Sequence, residues 1–468
     1  VFAKLLIANR GEIAVRIART CRELGIRTVA VYSTPDADSA AVRMCDEAVH
    51  IGPAEGARSY LSMPALIESC RVTGADALHP GYGFLSEDPD FAEVCAANGV
   101  TFVGPPPAAM ELLGDKASTR GLALREGLPL LPGDTGVCTS PAAARRIADE
   151  IGYPVIIKAV AGGGGKGMTV VHKRAELDTA FRSTRATAQA VFSDNRVYLE
   201  RYLEAARHVE VQVLLDQYGN GLHLGDRDCS VQRRNQKLIE EAPAPGLAPA
   251  VRAAMARTAL AAVSAAGLTG AATVEFLVDS ADSQQHFYLM EINARLQVEH
   301  GVTEMVTGID LVEWQLRIAA GEPLTLAQDD IRLSGSAIEC RINAEDPGRD
   351  FRPTPGELTE VRLPGGPFVR VDTYVHPGSV VTPYYDSMVA KIMAWAPERS
   401  RAIARSRRAL AETVVSGPGV VTTTGVLADV LRTDRFGRGE YRLDLLAEVV
   451  AARYEAATPA PRAAGAGR

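Results

Sequence analysis

The stretch Glu291-Ile292-Asn293-Ala294-Arg295-Leu296-Gln297-Val298-Glu299-His300 constrains this chain more than any other. Polar side chains fill every second position and alternate with Ile292, Ala294, Leu296 and Val298. In extended backbone, successive side chains point to opposite faces. The stretch therefore reads as a ribbon with one packed face, the other face carrying two carboxylates, two amides and a guanidinium. Such a row makes a poor solvent-facing strand and a good floor for an active site. Upstream, residues 272–279 (ATVEFLVD) and 286–291 (HFYLME) read as strands, with the polar 281–285 as the turn between them. With Ser280 facing His286, Glu275 falls opposite Glu291 on the same face. Two carboxylates that close repel unless a cation lies between them. With Asn293 as a third oxygen ligand, the set suits Mg²⁺, which takes a few carboxylates and completes its shell with substrate phosphates. For the two glutamates alone, a cross-strand pair on a wet surface is the alternative. The polar row that follows favours the metal.

A chain of 468 residues is about three domains long at roughly 150 residues each, and 47% apolar residues are ample for a core. The formal net charge of −7 argues against nucleic acid or an anionic membrane as partner. No apolar run reaches the ~18 residues of a membrane span, and the run in VFAKLLIANRGE is too short for a secretory signal. The seven cysteines are odd in number and form no C-x-x-C pair. They read as reduced thiols of a cytoplasmic protein, with zinc not expected. Only seven of the 50 basic residues are lysines: 4, 116, 158, 166, 173, 237 and 391. In a chain so biased to arginine, a surviving lysine is a suspect, because a compact ammonium is not freely replaced where it meets a phosphate.

In chain order, strand 4–9, helix 12–24 and strand 28–32 make a β-α-β opening, hence an α/β domain. No G-x-G-x-x-G fingerprint accompanies it. A second unit follows, from strand 75–78 through the loop His79-Pro80-Gly81-Tyr82-Gly83-Phe84 to a helix over 89–98 and a strand over 100–103. That loop reads either as a ligand loop at a strand C-terminus or as a tight turn. After Pro105-Pro106-Pro107, Lys116 precedes a helical segment to Arg125. Residues 154–171 read as strand, glycine loop (Gly162 to Gly165, Lys166, Gly167) and strand. This is no Walker A loop, since Val160 and Gly167 stand where Gly and Ser/Thr are required. It describes a flap over a nucleotide, with Lys158 and Lys166 as phosphate counter-charges; a simple flexible hairpin is the alternative. Strand 197–200 ends in a hinge able to offer backbone groups to an adenine ring, and a period-2 strand starts at His208. The run 226–237 is densely polar, as solvated faces usually are, but only one helix (249–266) separates it from the carboxylate hairpin. Beyond the ribbon, 310–321 reads as a helix, and 335–343 as a strand with Glu339 and Arg341 on one face. Short strands follow over 357–395, then helices over 397–411 and 443–454, and a linker-like tail over 456–468.

These motifs together resemble the biotin carboxylase component of biotin-dependent carboxylases, in the ATP-grasp superfamily. The likeness runs from Ile7-Ala-Asn-Arg-Gly-Glu-Ile-Ala14 to about residue 447. It includes residues 79–87, 162–167, 227–230, 240–246, 295–300, 339–345 and 383–386. The resemblance implies a Rossmann-like α/β domain over 1–115 and an ATP-grasp domain over 116–325 with a mobile glycine-rich lid at about 131–203. A β-rich C-terminal domain over 330–447 and a helix end and tail over 448–468 complete it. It further implies ATP contacts at Lys116, Lys158, Gly164, Gly165, Lys166, Glu200, Leu203, His208, Gln232 and Asn235, with Glu275 and Glu291 serving both ATP and metal. Mg²⁺ (or Mn²⁺) ligands fall at Glu275, Glu291 and Asn293, and a bicarbonate pocket at Lys237, Arg295, Gln297 and Val298. Glu299 matches the general base, Arg341 the residue stabilising the biotin enolate, and Tyr82 a biotin contact. Arg295, Glu299, Lys237 and Arg341 form the implied catalytic set. In the implied reaction Glu299 deprotonates bicarbonate as it attacks the γ-phosphate of ATP, giving carboxyphosphate, whose CO₂ then carboxylates biotin.

Asn235 replaces a usual His, Ala294 a usual Pro or Thr, and Lys166 a common Arg. The first is expected to alter ATP affinity, since Asn keeps one donor and one acceptor. No Met-Lys-Met biotin-attachment motif occurs, so biotin is expected on a separate carrier protein or a domain outside this chain. The other implied partners are a second copy, in a homodimer, and a carboxyltransferase. The alternative is a catalytically weakened ATP-grasp homologue with a nucleotide-binding assembly role.

Overall fold

The computed structural model describes residues 1–134, 136–161 and 167–455. The expected flap residues Gly164, Gly165 and Lys166 and the tail 456–468 lie outside the described residues.

The N-terminal part is a parallel sheet, β1 (Lys4–Ile7), β2 (Arg27–Ser33), β3 (Glu47–Gly52), β4 (Ala77–His79) and β5 (Thr101–Phe102), in the order β3-β2-β1-β4-β5. Helix α1 (Gly11–Glu23) crosses from β1 to β2, and its Ile13 and Ile17 are buried in the core. The loop after β4 is fastened by Asn9, whose Nδ2 donates to the carbonyls of Pro80 (2.6 Å) and Tyr82 (2.8 Å). Tyr82 is thereby held at the C-terminal ends of the strands, where open parallel sheets bind ligands.

Helix α2 (Lys116–Arg125) starts at Lys116 itself, capped by the Asp115 carboxylate on the Ser118 N–H at 2.8 Å. A three-stranded antiparallel sheet follows, β6 (Val155–Ala159), β7 (Met168–Val171) and β8 (Val197–Arg201), in the order β7-β6-β8.

The rest is organised on one antiparallel sheet of eight strands. These are β9 (Ala206–Leu215), β10 (Gly221–Arg233), β11 (Gln236–Ala242), β12 (Gly270–Asp279), β13 (Phe287–Asn293), β14 (Ser336–Asn343), β15 (Val369–Thr373) and β16 (Met388–Ala396). Their order is β13-β12-β9-β10-β11-β14-β16-β15. All ten residues of β9 are buried. Val209, Val211 and Val213 pack with Met255, Ala259 and Val263 of the helix Pro249–Ala265, so His208, Glu210 and Gln212 point to the opposite face. That second face is buried but polar.

The run 226–237, whose closeness to the carboxylate hairpin weighed against a solvated face, belongs to β10, β11 and their turn, with Arg227 and Asp228 wholly buried. Two expectations are corrected here. The ribbon 291–300 is extended only to Asn293, after which the chain turns into helix α3 (His300–Thr307). Glu87 ends the strand by taking the Ala294 N–H (3.1 Å) and Arg295 Nε (2.8 Å), while Ala294 and Leu296 drop into the core. Finally, the hairpin register near its turn is one residue off expectation, with Val278 opposite Phe287. An irregularity between Glu275 and Phe276, where Met290 is the extra residue, restores the Glu275–Glu291 pair.

The same registers set Glu291, Glu275, Glu210 and Arg227 side by side across four strands. Arg227 is the largest wholly buried side chain. It donates to Glu210 (2.6 Å), Gln212 (2.8 Å), Thr303 (2.9 Å) and Thr273 (3.1 Å), tying α3 to the sheet. Removing one partner of such a pair strands the other charge in the interior. Arg227→Met is therefore expected to cost about 3–5 kcal/mol, read as a lower urea midpoint of unfolding. A loss under about 1 kcal/mol would contradict the assignment.

Candidate active site

A cavity of about 1440 Å³ opens where the N-terminal sheet, the three-stranded sheet and the polar face of the large sheet meet. Every expected site residue among the described ones lines it.

At its floor stands Lys237, near the start of β11. Its ammonium lies 2.7 Å from Glu210 Oε2, 2.8 Å from Glu275 Oε1 and 2.6 Å from Glu299 Oε1. Burial works against this charge, yet the three carboxylates outweigh it and hold Lys237 protonated far above the usual lysine range. Glu299 gains in return. Burial would raise its pKa, but Lys237, Arg341 and Arg227 keep it ionised well below the usual carboxylate range.

Glu275 and Glu291 have unequal surroundings. Burial opposes the Glu275 charge, but Lys237 and His208, whose Nε2 is 3.0 Å from Oε2, hold it ionised. Glu291 has its pKa raised, first by repulsion from Glu275 and then by burial. An ionised carboxylate beside a second one that it pushes upward is a pair in want of a cation. Asn293 turns its Nδ2 towards Glu275 Oε1 (3.0 Å) and Glu291 Oε1 (3.4 Å); rotation of the amide would present its oxygen instead. The donor chemistry of these three side chains fits a hard divalent ion. Atoms of His208, Glu210 and Glu275 also converge within 4.8 Å of one another, but the Lys237 ammonium already occupies that approach.

Towards the three-stranded sheet, Glu200 of β8 accepts from Lys158 Nζ of β6 and from Arg120 Nη1 of α2, each at 2.7 Å. Burial lowers the Lys116 pKa, and Glu291 is the leading counter-influence. Leu203 lines the same end, and Gln232 Nε2 lies 3.1 Å from His208 Nδ1. Asn235 sits in the two-residue turn between β10 and β11 at φ +65°, after Arg234 at φ +47°. Asn tolerates this left-handed backbone better than most residues, so the departure at this position suits its turn.

On the opposite side, Arg295 donates from Nε to Glu87 (2.8 Å), from Nη1 to Gln297 Oε1 (3.0 Å) and from Nη2 to Asn293 Oδ1 (3.2 Å). Gln297 Nε2 is in turn 3.3 Å from Glu275 Oε1. Arg341 of β14 donates through Nη2 to Glu299 Oε2 at 2.8 Å and is paired with Glu240.

Glu210, Glu240, Glu87 and Arg120 join the site without having been assigned a role from sequence. Glu210 is two positions from His208 with Val209 between, so alternation alone puts it on the same face. The scarcity of lysine marks Lys391 as a suspect without giving it a role, and it meets the Val298 carbonyl beside the site. Glu87 and Glu240 lie at the ends of two motifs that carry the resemblance, 79–87 and 240–246, though neither was given a role there, and Arg120 carries no local signal of its own.

Burial lifts the Glu240 carboxyl to about 7 against the pull of Arg341. Its cross-strand neighbour Glu339 is raised well above the usual range by burial, and neither of its oxygens has a hydrogen-bond partner among the described residues. A carboxyl raised in the folded state favours folding fully below its unfolded pKa of about 4.3 and loses that contribution as pH rises. Glu339→Gln lacks the titration. Its stability relative to the unmodified protein is expected to rise steadily from pH 5 to pH 8 in parallel urea titrations; a difference flat with pH would contradict the assignment.

Three family models match the chain: biotin carboxylase N-terminal domain over residues 1–110, carbamoyl-phosphate synthase L chain ATP-binding domain over 115–327, and biotin carboxylase C-terminal domain over 339–448. Biotin carboxylase 1 of Bacillus subtilis is 50% identical over 443 residues, covering 95% of this chain and 98% of that protein. The biotin carboxylase of Haemophilus influenzae is 49% identical over 437 residues, covering 93% and 96%. Among solved structures, the Campylobacter jejuni biotin carboxylase–βγ-ATP complex superposes with a TM-score of 0.91 at 44% identity, covering 96% of this chain and 99% of that one. The biotin carboxylase domain dimer of Hydrogenobacter thermophilus 2-oxoglutarate carboxylase, with MgADP, ADP and bicarbonate, gives 0.90 at 44% identity, covering 96% and 98%. The fold is that of the ATP-grasp biotin carboxylases, and the chain belongs to the biotin carboxylase family.

Proposed function

We propose that the chain is the enzyme of the first half-reaction of a biotin-dependent carboxylase, using ATP and bicarbonate to carboxylate biotin on a carrier protein. The observation that carries this reading is the placement of Glu299 between Lys237 (2.6 Å) and Arg341 (2.8 Å). A base so strongly ionised is a weak one until its cations are drawn off. Bicarbonate at Lys237, Arg295, Gln297 and the Val298 backbone, and biotin at Arg341 and Tyr82, would engage those same cations. Glu299 then becomes more basic when both substrates are present.

In this reading Glu299 takes the bicarbonate proton as the oxyanion attacks the γ-phosphorus of ATP, and ADP leaves from carboxyphosphate. Carboxyphosphate separates into CO₂ and phosphate. The phosphate takes the ureido N–H proton of biotin, the nitrogen adds to CO₂, and Arg341 offsets the charge on the ureido oxygen. Phosphoryl transfer needs positioned cations more than covalent help, and Lys116, Lys158 and Lys237 supply them. Glu200, Leu203, His208, Gln232 and Asn235 hold the nucleotide beneath a flap that carries Gly164, Gly165 and Lys166 and keeps water out. Glu275, Glu291 and Asn293 would hold a Mg²⁺ (or Mn²⁺), which would supply positive charge to offset that of the nucleotide phosphates.

The chain divides in this proposal near residues 115 and 330, works in the cytoplasm as a homodimer, and serves a carrier protein and a carboxyltransferase. Among the described residues no helix is long and apolar enough to cross a membrane.

The test is ADP release at saturating ATP and Mg²⁺, expected to require bicarbonate and to be stimulated by free biotin. No bicarbonate-dependent ADP release would overturn the proposal and leave a nucleotide-binding assembly role. Glu299→Gln is expected to slow the reaction about 100-fold or more while the Kd for ATP stays within about twofold, since Glu299 meets only the anion end. Asn235→His is expected to shift the KM for ATP by up to about tenfold, the scale of one hydrogen bond, with little change in kcat. Loss of turnover in that variant would contradict a role for position 235 limited to nucleotide affinity.

A further inference from the structure

Lys391, on β16, is the one lysine of the large sheet outside the motifs discussed above, and its side chain is wholly buried. Nζ donates to the Val298 carbonyl at 2.8 Å and lies 3.1 Å from Glu12 Oε1, at the start of α1. The same Glu12 oxygen accepts from the Tyr82 hydroxyl. One ammonium thus joins three parts of the chain distant in sequence: the N-terminal sheet, the turn leading into Glu299, and the C-terminal strands. Lys391 is also the cross-strand neighbour of Arg341 and of Asp372.

We infer that Lys391, acting with Glu12, is a positioning residue for bicarbonate and biotin: it fixes the Val298 turn by its carbonyl and the Tyr82 hydroxyl through Glu12. The inference rests on the functional reading above. In a trans peptide the carbonyl and the following N–H point in opposite directions. Pinning the Val298 oxygen to Lys391 therefore turns the Glu299 N–H the other way and sets the direction from which the Glu299 side chain leaves the turn. Tyr82, at the far end of the relay, lines the cavity beside Arg341. A displacement of the relay moves both ends together.

The composition of the pocket suits this role better than packing alone. Burial works against the Lys391 charge, and Glu12, Glu339 and Asp372 outweigh it and keep it protonated. A buried ion pair is often no more stabilising than an apolar pair of the same size, so stability gives little reason to keep a charge here. A backbone carbonyl and a carboxylate met by one compact head give a reason for lysine, where arginine's planar fork does not fit two acceptors so close to a single point.

The test is steady-state kinetics of the full chain, with KM resolved for each substrate. Lys391→Met is expected to raise the KM for bicarbonate about tenfold, the scale of a lost charged hydrogen bond, with the KM for ATP within about twofold. Glu12→Gln is expected to raise the KM for free biotin by a smaller factor, again sparing ATP. The double variant E12Q/K391M removes both charges at once and leaves no unpaired ion between them. It is expected to keep the bicarbonate defect, and it carries the test if K391M does not fold. An unchanged KM for bicarbonate in a folded variant, or KM values for ATP and bicarbonate rising in parallel, would overturn the inference. Absence of bicarbonate-dependent ADP release in the unmodified protein would overturn the functional reading itself, and is recognised before any variant is made.

Discussion

The site depends on how three carboxylates share one buried ammonium. Glu210, Glu275 and Glu299 arrive from β9, β12 and the turn before α3, and none could stay ionised at such depth without a partner. Lys237 supplies it from β11, with a contact under 3 Å to each. The arrangement is short of positive charge. Even with Arg227 behind Glu210, the row Glu291–Glu275–Glu210 and its neighbour Glu299 hold more acidic than basic groups. That residual negative charge is the physical reason for a divalent ion at the Glu275–Glu291 end. The Lys237 and Arg295 side of the same cluster remains suited to an anion.

The second consequence is that the cavity belongs to no single part of the chain. Glu87 reaches from the N-terminal region to stop β13 and hold Arg295. Arg341 comes from a strand on the far side of β11 and closes on Glu299. Gly301 lets α3 lie directly on the sheet, since a Cβ there would come within 2.2 Å of Met393 Sδ. Electrostatic preorganisation of this kind needs rigid support, and each charged side chain here is held by another charged group that the rest of the fold has already placed.

Much of this was legible in the sequence, for identifiable reasons. Helices such as Gly11–Glu23 and Pro249–Ala265 and the strands of the N-terminal sheet follow from local periodicity and punctuation. The Glu275–Glu291 pairing was reached from alternation, although the assumed turn register was one residue out and the extra Met290 corrected it. What alternation could not reach was burial imposed from a distance. The run 226–237 looks solvated because its partners, Glu210 for Arg227 and Glu241 opposite Asp228, come from other strands. The ribbon from 291 could not announce that Glu87, more than 200 positions earlier, would end it at Asn293. The scarcity of lysine marks Lys391 but not what it holds, since both groups lie far from it in sequence.

The central claim is that one cluster gathers a divalent ion, the nucleotide phosphates and bicarbonate. Its most direct measurement is a crystal structure of the chain with Mn²⁺, ADP and bicarbonate, the metal located by its anomalous scattering. The account predicts manganese between the Glu275 and Glu291 carboxylates and bicarbonate in contact with Lys237 Nζ and the Arg295 guanidinium. Manganese bound elsewhere, with Glu275 still satisfied only by Lys237, His208 and the neighbouring amides, would contradict it.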